Sequence, residues 1–211
     1  MIDNPIELAK NLILIKKGTH NFQFLNDEFI LAKYNQVTSS TILYLGDHPV
    51  VIDPGARYFR TLIEKRISEY VDPLKVEFCI ATHYHHDHLD NAELFPNAIR
   101  ILDYGMVTPD GVMTVFKSAE MIPVPSGIEV FSTPGHVKNH ISVRIQIDGT
   151  SYVCSGDAVR DDILNGDFCP DYVDDTYISS AKRVFELADL IIPGHGEIIK
   201  VDPNHIPLLF A

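Results

Sequence analysis

A dense cluster of metal-binding side chains lies in the segment 83–88, which reads His-Tyr-His-His-Asp-His. It follows the apolar run 78–82, which is typical of a buried strand. Alternate residues of an extended chain point the same way, so His83 and His85 can bind one ion. Asp87 and His88 come where the chain should turn into a helix, and they can reach a second ion. The segment therefore predicts a metal centre at the end of a strand.

Three later segments share one plan, in which a short apolar strand ends in a tight turn and then presents one further ligand. The turns are Pro134-Gly135 before His136, Ser155-Gly156 before Asp157, and Pro193-Gly194 before His195. Pro and Gly form sharp turns and let the backbone approach an ion closely. Because α/β folds place their sites at the carboxyl ends of strands, we expect these three ligands to join the cluster.

Two other interpretations of the histidine cluster are a chance run on the surface and a purely structural zinc site. Structural zinc sites favour closed ligand sets rich in thiolate. None of Cys79, Cys154 and Cys169 stands in a C-x-x-C pair. We therefore favour a more open, hydrolytic type of centre, and we expect the three cysteines to pack in the core.

The motifs HxHxDH, TPGH, SGD and PGHG, in this order, resemble those of the metallo-β-lactamase superfamily. The match runs from about Ile42 to Ile199 and includes the strand and turn 51–55, which is similar to an early motif of the superfamily. Within the superfamily, the chain looks most like the small metallo-β-lactamase domain-containing protein 1 group. One departure follows the DH pair, where the superfamily usually has two glycines and this chain has Leu89-Asp90-Asn91. Substrate classes that depend on this loop therefore stay open.

The resemblance implies two metal sites. The first metal is expected on His83, His85 and His136, the second on Asp87, His88 and His195, with Asp157 bridging both. The cofactors would be two divalent ions per chain, with zinc favoured and iron or manganese as alternatives. A bridging aspartate is similar to glyoxalase-II-like and lactonase-like hydrolases. True β-lactamases of the superfamily have Cys or Ser there, which argues against hydrolysis of antibiotics.

The favoured function is a binuclear metal-dependent hydrolase. A hydroxide shared by the two metals would cleave a small ester, thioester or lactone, and Asp87 would orient the nucleophile and shuttle a proton. One alternative is a phosphodiesterase or ribonuclease. Another is a persulfide dioxygenase with a single iron on His83, His136 and Asp157. A non-catalytic metal-binding protein is the last alternative, and an intact ligand set argues against it.

Charge and composition bear on partners and location. The net charge is −12, from 17 Lys+Arg against 29 Asp+Glu, which argues against a broad surface for nucleic acid or anionic membrane. No apolar run approaches the ~20 residues of a membrane span. The N-terminus lacks the basic start of a signal peptide, and the cysteines suit a reducing compartment. We expect a cytoplasmic protein with a small-molecule substrate, and the oligomeric state stays open.

An internal repeat predicts the architecture. Segments 46–55 and 148–157 each combine a strand with an acidic turn, and each is followed by a helix, a strand and then His83 or His195. Two such halves predict a four-layer αβ/βα sandwich, the metallo-β-lactamase fold, with the metal site at the edge of the two sheets. A length of 211 residues and 45% hydrophobic content fit a single domain over residues 1–211.

Local patterns place the elements. Runs rich in aliphatic and β-branched residues predict strands at 11–16, 29–34, 40–45, 49–53, 76–82, 98–102, 128–132, 141–147 and 151–155. Apolar residues at helical spacing predict helices at 57–70, 87–95 and 175–188. The stretch 161–175 has no clear period; we interpret it as a solvated connector, with a lid over the cleft as the alternative.

Several further residues are expected around the site or on the surface. His86 is as compatible with the substrate cleft as with the surface, and His140 is expected to have a supporting role behind the ligands. Lys138 and Arg160 are interpreted as solvated surface charges, with a substrate anion as the alternative. We expect surface positions for His20, His48 and His205. The apolar tail 205–211 would pack on the core or on a second chain.

Overall fold

The computed structural model describes residues 4–24, 30–202, 207 and 210. The strands are β1 (Ile6–Ala9), β2 (Leu12–Lys16), β3 (Phe22–Phe24), β4 (Ile30–Ala32), β5 (Thr41–Leu45), β6 (Pro49–Ile52), β7 (Phe78–Ala81), β8 (Ile99–Leu102), β9 (Gly105–Val107), β10 (Met113–Val115), β11 (Ile128–Ser132), β12 (Ile141–Ile147), β13 (Thr150–Gly156), β14 (Leu190–Pro193) and β15 (Ile199–Lys200). The α-helices are α1 (Arg60–Ser68), α2 (His86–Leu89), α3 (Asp161–Leu164) and α4 (Asp175–Leu187). Short 3-10 turns cover Tyr34–Gln36, Arg57–Phe59, Pro73–Lys75, Ala92–Leu94 and Ala119–Met121.

Two sheets form the centre of the fold. In the described part of the chain, the larger sheet has the order β1-β2-β5-β6-β7-β8-β9-β10 and the smaller has the order β11-β12-β13-β14-β15, while β3 and β4 form a separate hairpin. β7 runs parallel to both β6 and β8, and β13 runs parallel to β14; the other pairs are antiparallel. These parallel strands share the direction of their carboxyl ends, where the predicted ligands follow.

Three apolar clusters hold the layers together. Because neighbouring residues of a strand face opposite sides, Leu12 and Leu14 of β2 point between the two sheets, whereas Ile13 and Ile15 point toward α1. On the smaller sheet, Val153 of β13 packs with residues of α4 in the same way. Helix, sheet, sheet and helix therefore stack as four layers, which confirms the predicted αβ/βα sandwich.

Helix α4 shows how local sequence sets a boundary. The carboxylate of Asp174 accepts hydrogen bonds from the backbone N–H groups of Thr176 (2.8 Å) and Tyr177 (3.0 Å), which caps the first turn. The helix then buries Ala181 and Val184 against the smaller sheet, and Tyr177 of its first turn is also buried. The predicted helix at 175–188 is confirmed, with its end at Leu187.

Most other predicted elements are present, with two changes in the helices. The predicted helix 57–70 begins as a 3-10 turn and becomes α1 only at Arg60. The predicted helix 87–95 is wrong as one helix, because it divides into α2 and a 3-10 turn on either side of Asn91. The backbone N–H of Asn91 donates to the carbonyl of Gly55 (3.3 Å), and its side-chain amide donates to Pro54 (3.1 Å) and Ala56 (2.8 Å). These bonds to another segment interrupt the helical ladder.

Each of the nine strands predicted from the aliphatic runs has a counterpart, in the predicted order. β4 accounts for the predicted strand 29–34, although residue 29 lies outside the described residues and a 3-10 turn begins at Tyr34. The sequence patterns did not predict β1, β3, the hairpin of β9 and β10, α3 or β15. The extent of the domain stays a prediction. None of the described helices is both long and apolar enough to cross a lipid bilayer.

Candidate metal centre

Five turns at the carboxyl ends of strands meet at one edge of the two sheets. Asp53 follows β6, His83 follows β7, His136 follows β11, Asp157 follows β13 and His195 follows β14. The remaining predicted ligands, His85, Asp87 and His88, lie at the start of α2. The structure therefore brings all seven predicted ligands together: His83, His85, Asp87, His88, His136, Asp157 and His195.

The first group consists of His83, His85 and His136, which offer ligand atoms that all lie within 4.8 Å of one another. Nδ1 of His85 and Nε2 of His136 are 3.0 Å apart. The ring of His83 is fully buried and lies 4.5 Å from that of His85 and 4.9 Å from that of His136, measured between ring centroids, so the three rings form a triangle. This is the set expected for the first metal.

The second group consists of Asp87, His88 and His195. Oδ2 of Asp87 lies 3.2 Å from Nε2 of His195 and 3.9 Å from Nε2 of His88. Both histidines are buried, whereas the Asp87 side chain is 22% exposed. Asp87 is therefore the member of this group that solvent or a substrate can reach.

Asp157 lies between the two groups, with one carboxylate oxygen facing each of them. Its Oδ1 is 3.3 Å from Nε2 of His88 and 3.5 Å from Nε2 of His195. Its Oδ2 is 3.4 Å from Nε2 of His136. This is the arrangement that a carboxylate needs in order to bridge two ions.

Hydrogen bonds behind the histidines fix which ring nitrogen faces the centre. Nδ1 of His88 donates to Oδ2 of Asp53 at 2.8 Å, and Nδ1 of His195 donates to the carbonyl of Thr19 at 3.2 Å. Asp53 also accepts from the N–H (2.7 Å) and the hydroxyl (2.9 Å) of Thr82. These partners assign the protons to Nδ1, which leaves the Nε2 lone pairs for an ion.

Several buried polar atoms fit a metal site because nothing else satisfies them. Nε2 of His83, Nε2 of His88 and Oδ1 of Asp157 form no hydrogen bond within the described part of the chain. Buried polar groups almost always have a partner, so such a concentration needs an explanation. The donor set of imidazoles and carboxylates suits zinc, iron or manganese. The residues present therefore fit the binding of divalent metal ions.

The electrostatics of the cluster depend on its burial. Desolvation lowers the pKa of His83 well below its usual value and that of His136 to about 4. Burial opposes ionisation of Asp157, but His195 and His88 outweigh it and hold the pKa of this carboxyl well below its usual range. His83 and His136 are therefore neutral and Asp157 is ionised, as metal binding requires, whereas Asp53 and Asp157 outweigh burial and raise the pKa of His88, whose proton a bound ion would displace.

His140 connects to Asp157 through a chain of buried hydrogen bonds. The backbone N–H of Asp157 donates to Nε2 of His140 at 3.2 Å, so Nδ1 carries the proton and donates to Oγ1 of Thr133 at 2.9 Å. Thr133 then donates to Ser142 (2.8 Å), and Ser142 donates to the carbonyl of Ser155 (3.3 Å). The chain begins and ends on the turn that carries Asp157. His140 thus lies behind the ligands, as predicted.

Close packing also explains the glycines of two turns. A Cβ at Gly194 would collide with Oδ1 of Asp157 and with the ring of His88. A Cβ at Gly156 would collide with Thr82, and Gly156 has a φ of +50°, which favours glycine. The two turns can therefore approach the ligands only because they lack side chains.

Four expectations about residues around the site are wrong. Arg160 is not a solvated charge: it is 5% exposed and binds both carboxylate oxygens of Asp162, at 3.1 and 2.6 Å. His20 is not a plain surface residue, because its ring lies 5.7 Å from that of His195 and its Nε2 lies 3.5 Å from Asp162. The stretch 161–175 is not only a connector, since it begins with α3. Cys169 is exposed, unlike the other two cysteines.

The other residues with a predicted position lie at the rim of the site or farther away. The His86 side chain is 87% exposed and pairs with Asp90 at 3.0 Å, and Lys138 is exposed, as expected. His48 pairs with Glu77 on the surface. His205 and most of the tail lie outside the described residues, although Phe210 packs edge-on against Phe185 of α4 at 5.3 Å.

Sequence reasoning missed three supporting residues. Asp53 belongs to the motif 51–55, which is similar to an early motif of the superfamily. The sequence alone does not show that its carboxylate contacts His88. Thr82 is the small polar residue just before the first ligand, which is a weak signal. Tyr172, whose ring lies edge-on 4.8 Å from that of His136, comes from a stretch with no periodic pattern.

This chain is similar to several known proteins. A sequence model of the Metallo-beta-lactamase superfamily matches residues 35–195. Metallo-beta-lactamase domain-containing protein 1 of Rattus norvegicus is 31% identical over 161 residues, which are 72% of this chain and 63% of that protein. The probable metallo-hydrolase MJ0296 of Methanocaldococcus jannaschii is 29% identical over 157 residues, which are 71% of this chain and 72% of that protein.

The chain spans 60–63% of the length of the mammalian relatives that it matches. Among solved structures, a Thermotoga maritima protein superposes with a TM-score of 0.66 at 20% identity, over 90% of this chain and 98% of that one. The metallo-beta-lactamase MIM-1 of Novosphingobium pentaromativorans gives a TM-score of 0.59 at 19% identity, over 90% of this chain and 76% of that one. At these identities, the structures establish the fold.

Proposed function

The chain belongs to the metallo-beta-lactamase superfamily, and from this premise we propose that it is a binuclear metal-dependent hydrolase of a small ester, thioester or lactone. The observation that carries the proposal is the position of Asp157, whose two oxygens face separate groups of ligands at 3.3 to 3.5 Å. Members of this superfamily are generally metal-dependent hydrolases. Clusters that could hold metal ions are present in this chain.

The proposed ligands divide as the sequence suggested. His83, His85 and His136 would hold one ion, Asp87, His88 and His195 the other, and Asp157 both. When bound, two divalent ions, which we propose to be zinc, would supply Lewis-acid activation of water and of the substrate oxygen. An aspartate in the bridging position supports a glyoxalase-II-like or lactonase-like reaction over hydrolysis of antibiotics.

Asp87 is the proposed catalytic residue. Its carboxylate is partly exposed, whereas that of Asp157 is 5% exposed. Burial opposes its ionisation, but the adjacent rings of His195 and His88 hold the pKa of the Asp87 carboxyl below its ordinary value. It can therefore accept a proton from the attacking water and carry it to the leaving group, while Asp157 holds the two ligand groups at a fixed separation.

The alternative functions differ in what they require of the site. A persulfide dioxygenase with one iron on His83, His136 and Asp157 would leave the group around His195 without a purpose. A phosphodiesterase or ribonuclease would use the same two ions. The net charge of −12 argues against a long nucleic acid as substrate.

The test is a comparison of substrates on the zinc-, iron- and manganese-reconstituted protein. We expect hydrolysis of thioesters, lactones or simple esters, lost on chelation and reduced by Asp87→Asn. The matched control is Asp47→Asn, which neutralises an exposed aspartate elsewhere. Faster cleavage of RNA or phosphodiesters, or oxygen uptake with a persulfide, would replace the proposal with the corresponding alternative.

A further inference from the structure

Strand β10 forms one edge of the larger sheet, and its outer side is unpaired among the described residues. The sheet ends with β9 and β10, so β10 forms ladder hydrogen bonds with β9 alone. An unpaired edge presents backbone N–H and C=O groups to which another strand can bind. Proteins usually block such an edge with a charged residue, a proline or a bulge, and the segment Met113–Val115 contains none of these.

The hydrogen bonds to β9 show which backbone groups of β10 point outward. The N–H of Phe116 donates to the carbonyl of Tyr104 at 2.8 Å. Successive residues of an antiparallel strand direct their backbone groups to alternate sides. Thr114 and Phe116 therefore bond toward β9, whereas the N–H and C=O groups of Met113 and Val115 point to the open edge.

The side chains of these two outward residues are apolar and exposed. Met113 is 66% exposed and Val115 is 70% exposed, and both lie on one face because they are two positions apart. They line an apolar groove of about 460 Å³ that continues past Val107 of β9 to Leu89 of α2. Apolar side chains on an unpaired strand favour association, because pairing removes them from water and satisfies the backbone.

Opposite charges flank the strand. Asp110 precedes Thr114 by four positions and Lys117 follows it by three. Both are exposed and neither forms an ion pair in the described part of the chain, although the hydroxyl of Thr108 donates to the Asp110 carboxylate. If the strand pairs antiparallel with its own copy about Thr114, residue 111 meets residue 117 of the copy. Asp110 of one copy then lies next to Lys117 of the other, so the charges are complementary to a second copy of this chain.

We propose that β10 pairs antiparallel with β10 of a second copy, so that the two larger sheets become continuous across a two-fold axis at Thr114. Met113 of each copy exchanges two backbone hydrogen bonds with the partner's Val115, since both direct these groups outward. The apolar side chains of the two strands form one strip on the groove face, and pairs of Asp110 with Lys117 close its ends. A two-fold dimer requires such a self-complementary patch.

Sedimentation equilibrium of the purified full chain tests the association at physiological salt, which screens the repulsion between two chains of net charge −12. We expect a reversible dimer with a dissociation constant on the order of 10 µM, because the paired strand is short. Val115→Pro removes an outward N–H and should raise this constant by roughly tenfold or more. Val115→Thr keeps the N–H and the branched shape, and should have a smaller effect.

Reversal of the flanking charges tests the register. Asp110→Lys and Lys117→Asp each place like charges opposite one another, and each should weaken its own homodimer by roughly tenfold. An equimolar mixture of the two variants should associate again, because every contact between them then joins opposite charges. The matched controls are Asp47→Lys and Lys75→Asp, which reverse exposed charges in other segments and should leave the wild-type association unchanged.

A disulfide tests the position of the two-fold axis. Residues on the axis would form a pair without hydrogen bonds, with Cα atoms about 4.5 Å apart, which a disulfide can span. Thr114→Cys should therefore cross-link to its own copy on oxidation. The background is Cys169→Ser, because Cys169 is exposed. Thr61→Cys, at an exposed threonine of α1, is the control and should not cross-link.

Three results would overturn the proposal. A chain that stays monomeric at about 200 µM would leave the edge to an extended segment of another protein. A dimer that tolerates Val115→Pro and both charge reversals would use a different surface. Two weakened charge variants that do not associate when mixed, together with no faster cross-linking at Thr114 than at Thr61, would exclude the antiparallel register. Circular dichroism of each variant confirms that its fold is retained.

Discussion

The backbone N–H of Asp157 donates a hydrogen bond to Nε2 of His140 at 3.2 Å, and this bond links the proposed bridging ligand to a fully buried network. The other ring nitrogen of His140 is held by Thr133 at 2.9 Å. Burial lowers the pKa of His140 to about 3, so the ring is neutral and can accept from the amide. The network sets the direction in which the Asp157 side chain leaves its turn.

His140→Ala should therefore weaken metal binding without removing a ligand. We expect the affinity for the more weakly held ion to fall by about 10- to 100-fold, as is usual for partners behind metal ligands. The buried N–H of Asp157 also loses its acceptor, which should cost about 1–3 kcal/mol of unfolding free energy. Thr133→Val should act in the same direction with a smaller effect.

Chelator competition and urea unfolding measure the two quantities. His86→Ala is the matched control, because it removes a histidine from the same region whose side chain is 87% exposed. Equal metal affinities for the two histidine variants would show that the network does not position Asp157.

Asp53→Asn should reduce the affinity of the group that contains His88. The carboxylate of Asp53 fixes the His88 ring at 2.8 Å and accepts two hydrogen bonds from Thr82. Loss of its charge makes the imidazole a poorer donor to the metal, and we expect roughly a 10- to 100-fold loss of affinity. Metal titrations of Asp53→Asn and of Asp47→Asn, a control at an exposed position, measure this loss. Equal metal affinities for the two variants would contradict the prediction.

Asn91→Ala should destabilise the fold near the site. Its amide donates to the carbonyls of Pro54 and Ala56, and the side chain is fully buried. Two buried carbonyls lose a donor, so we expect a loss of about 1–3 kcal/mol in the free energy of unfolding. The control is Asn97→Ala, which removes one exposed amide bond to Leu74. If urea denaturation gives the same loss of unfolding free energy for both variants, the hydrogen bonds from Asn91 to residues 54 and 56 do not stabilise the fold.

Removal of the metal should lower the melting temperature. Buried ligands without hydrogen bonds, such as Nε2 of His83, stabilise the folded state only when an ion is bound. Free metal at about 100 times its dissociation constant contributes about 2.7 kcal/mol per site. Calorimetry before and after chelation should show a fall that zinc reverses. A melting temperature that changes neither on chelation nor on addition of zinc would argue against a metal in the native state.

The sequence was sufficient for the centre of the fold because its signals are local. Each ligand follows an apolar strand by a few residues, and α/β sheets gather such strand ends at one edge. His83 and His195 therefore share a cluster although 112 positions separate them in the sequence (195 − 83). The internal repeat likewise indicated two similar layers.

The features that the sequence did not predict depend on contacts between segments that are distant along the chain. The interruption of the helix at Asn91 comes from carbonyls at 54–56, which no helical pattern contains. Arg160 is buried because Asp162 and the surrounding fold neutralise it, whereas its sequence context is that of a surface residue. The hairpin of β9 and β10 was missed because Met113 and Val115 are exposed, so no alternation of buried and exposed residues marks it.

Asp157→Ala tests the bridge itself. Without its carboxylate, Oδ1 no longer faces His88 and His195, and Oδ2 no longer faces His136. We expect the variant to keep its fold by circular dichroism, to retain about one ion instead of two, and to hydrolyse its substrate at a rate lower by roughly 100-fold or more. A variant with both ions and a near-normal rate would exclude Asp157 as a bridging ligand.

The most direct test of the binuclear centre is elemental analysis of the wild-type chain after reconstitution with excess zinc and removal of the unbound ion. The seven ligands form two groups joined by Asp157, so the account predicts saturation at two metal ions per chain. Saturation at one ion per chain would contradict it, and would favour the mono-iron site on His83, His136 and Asp157.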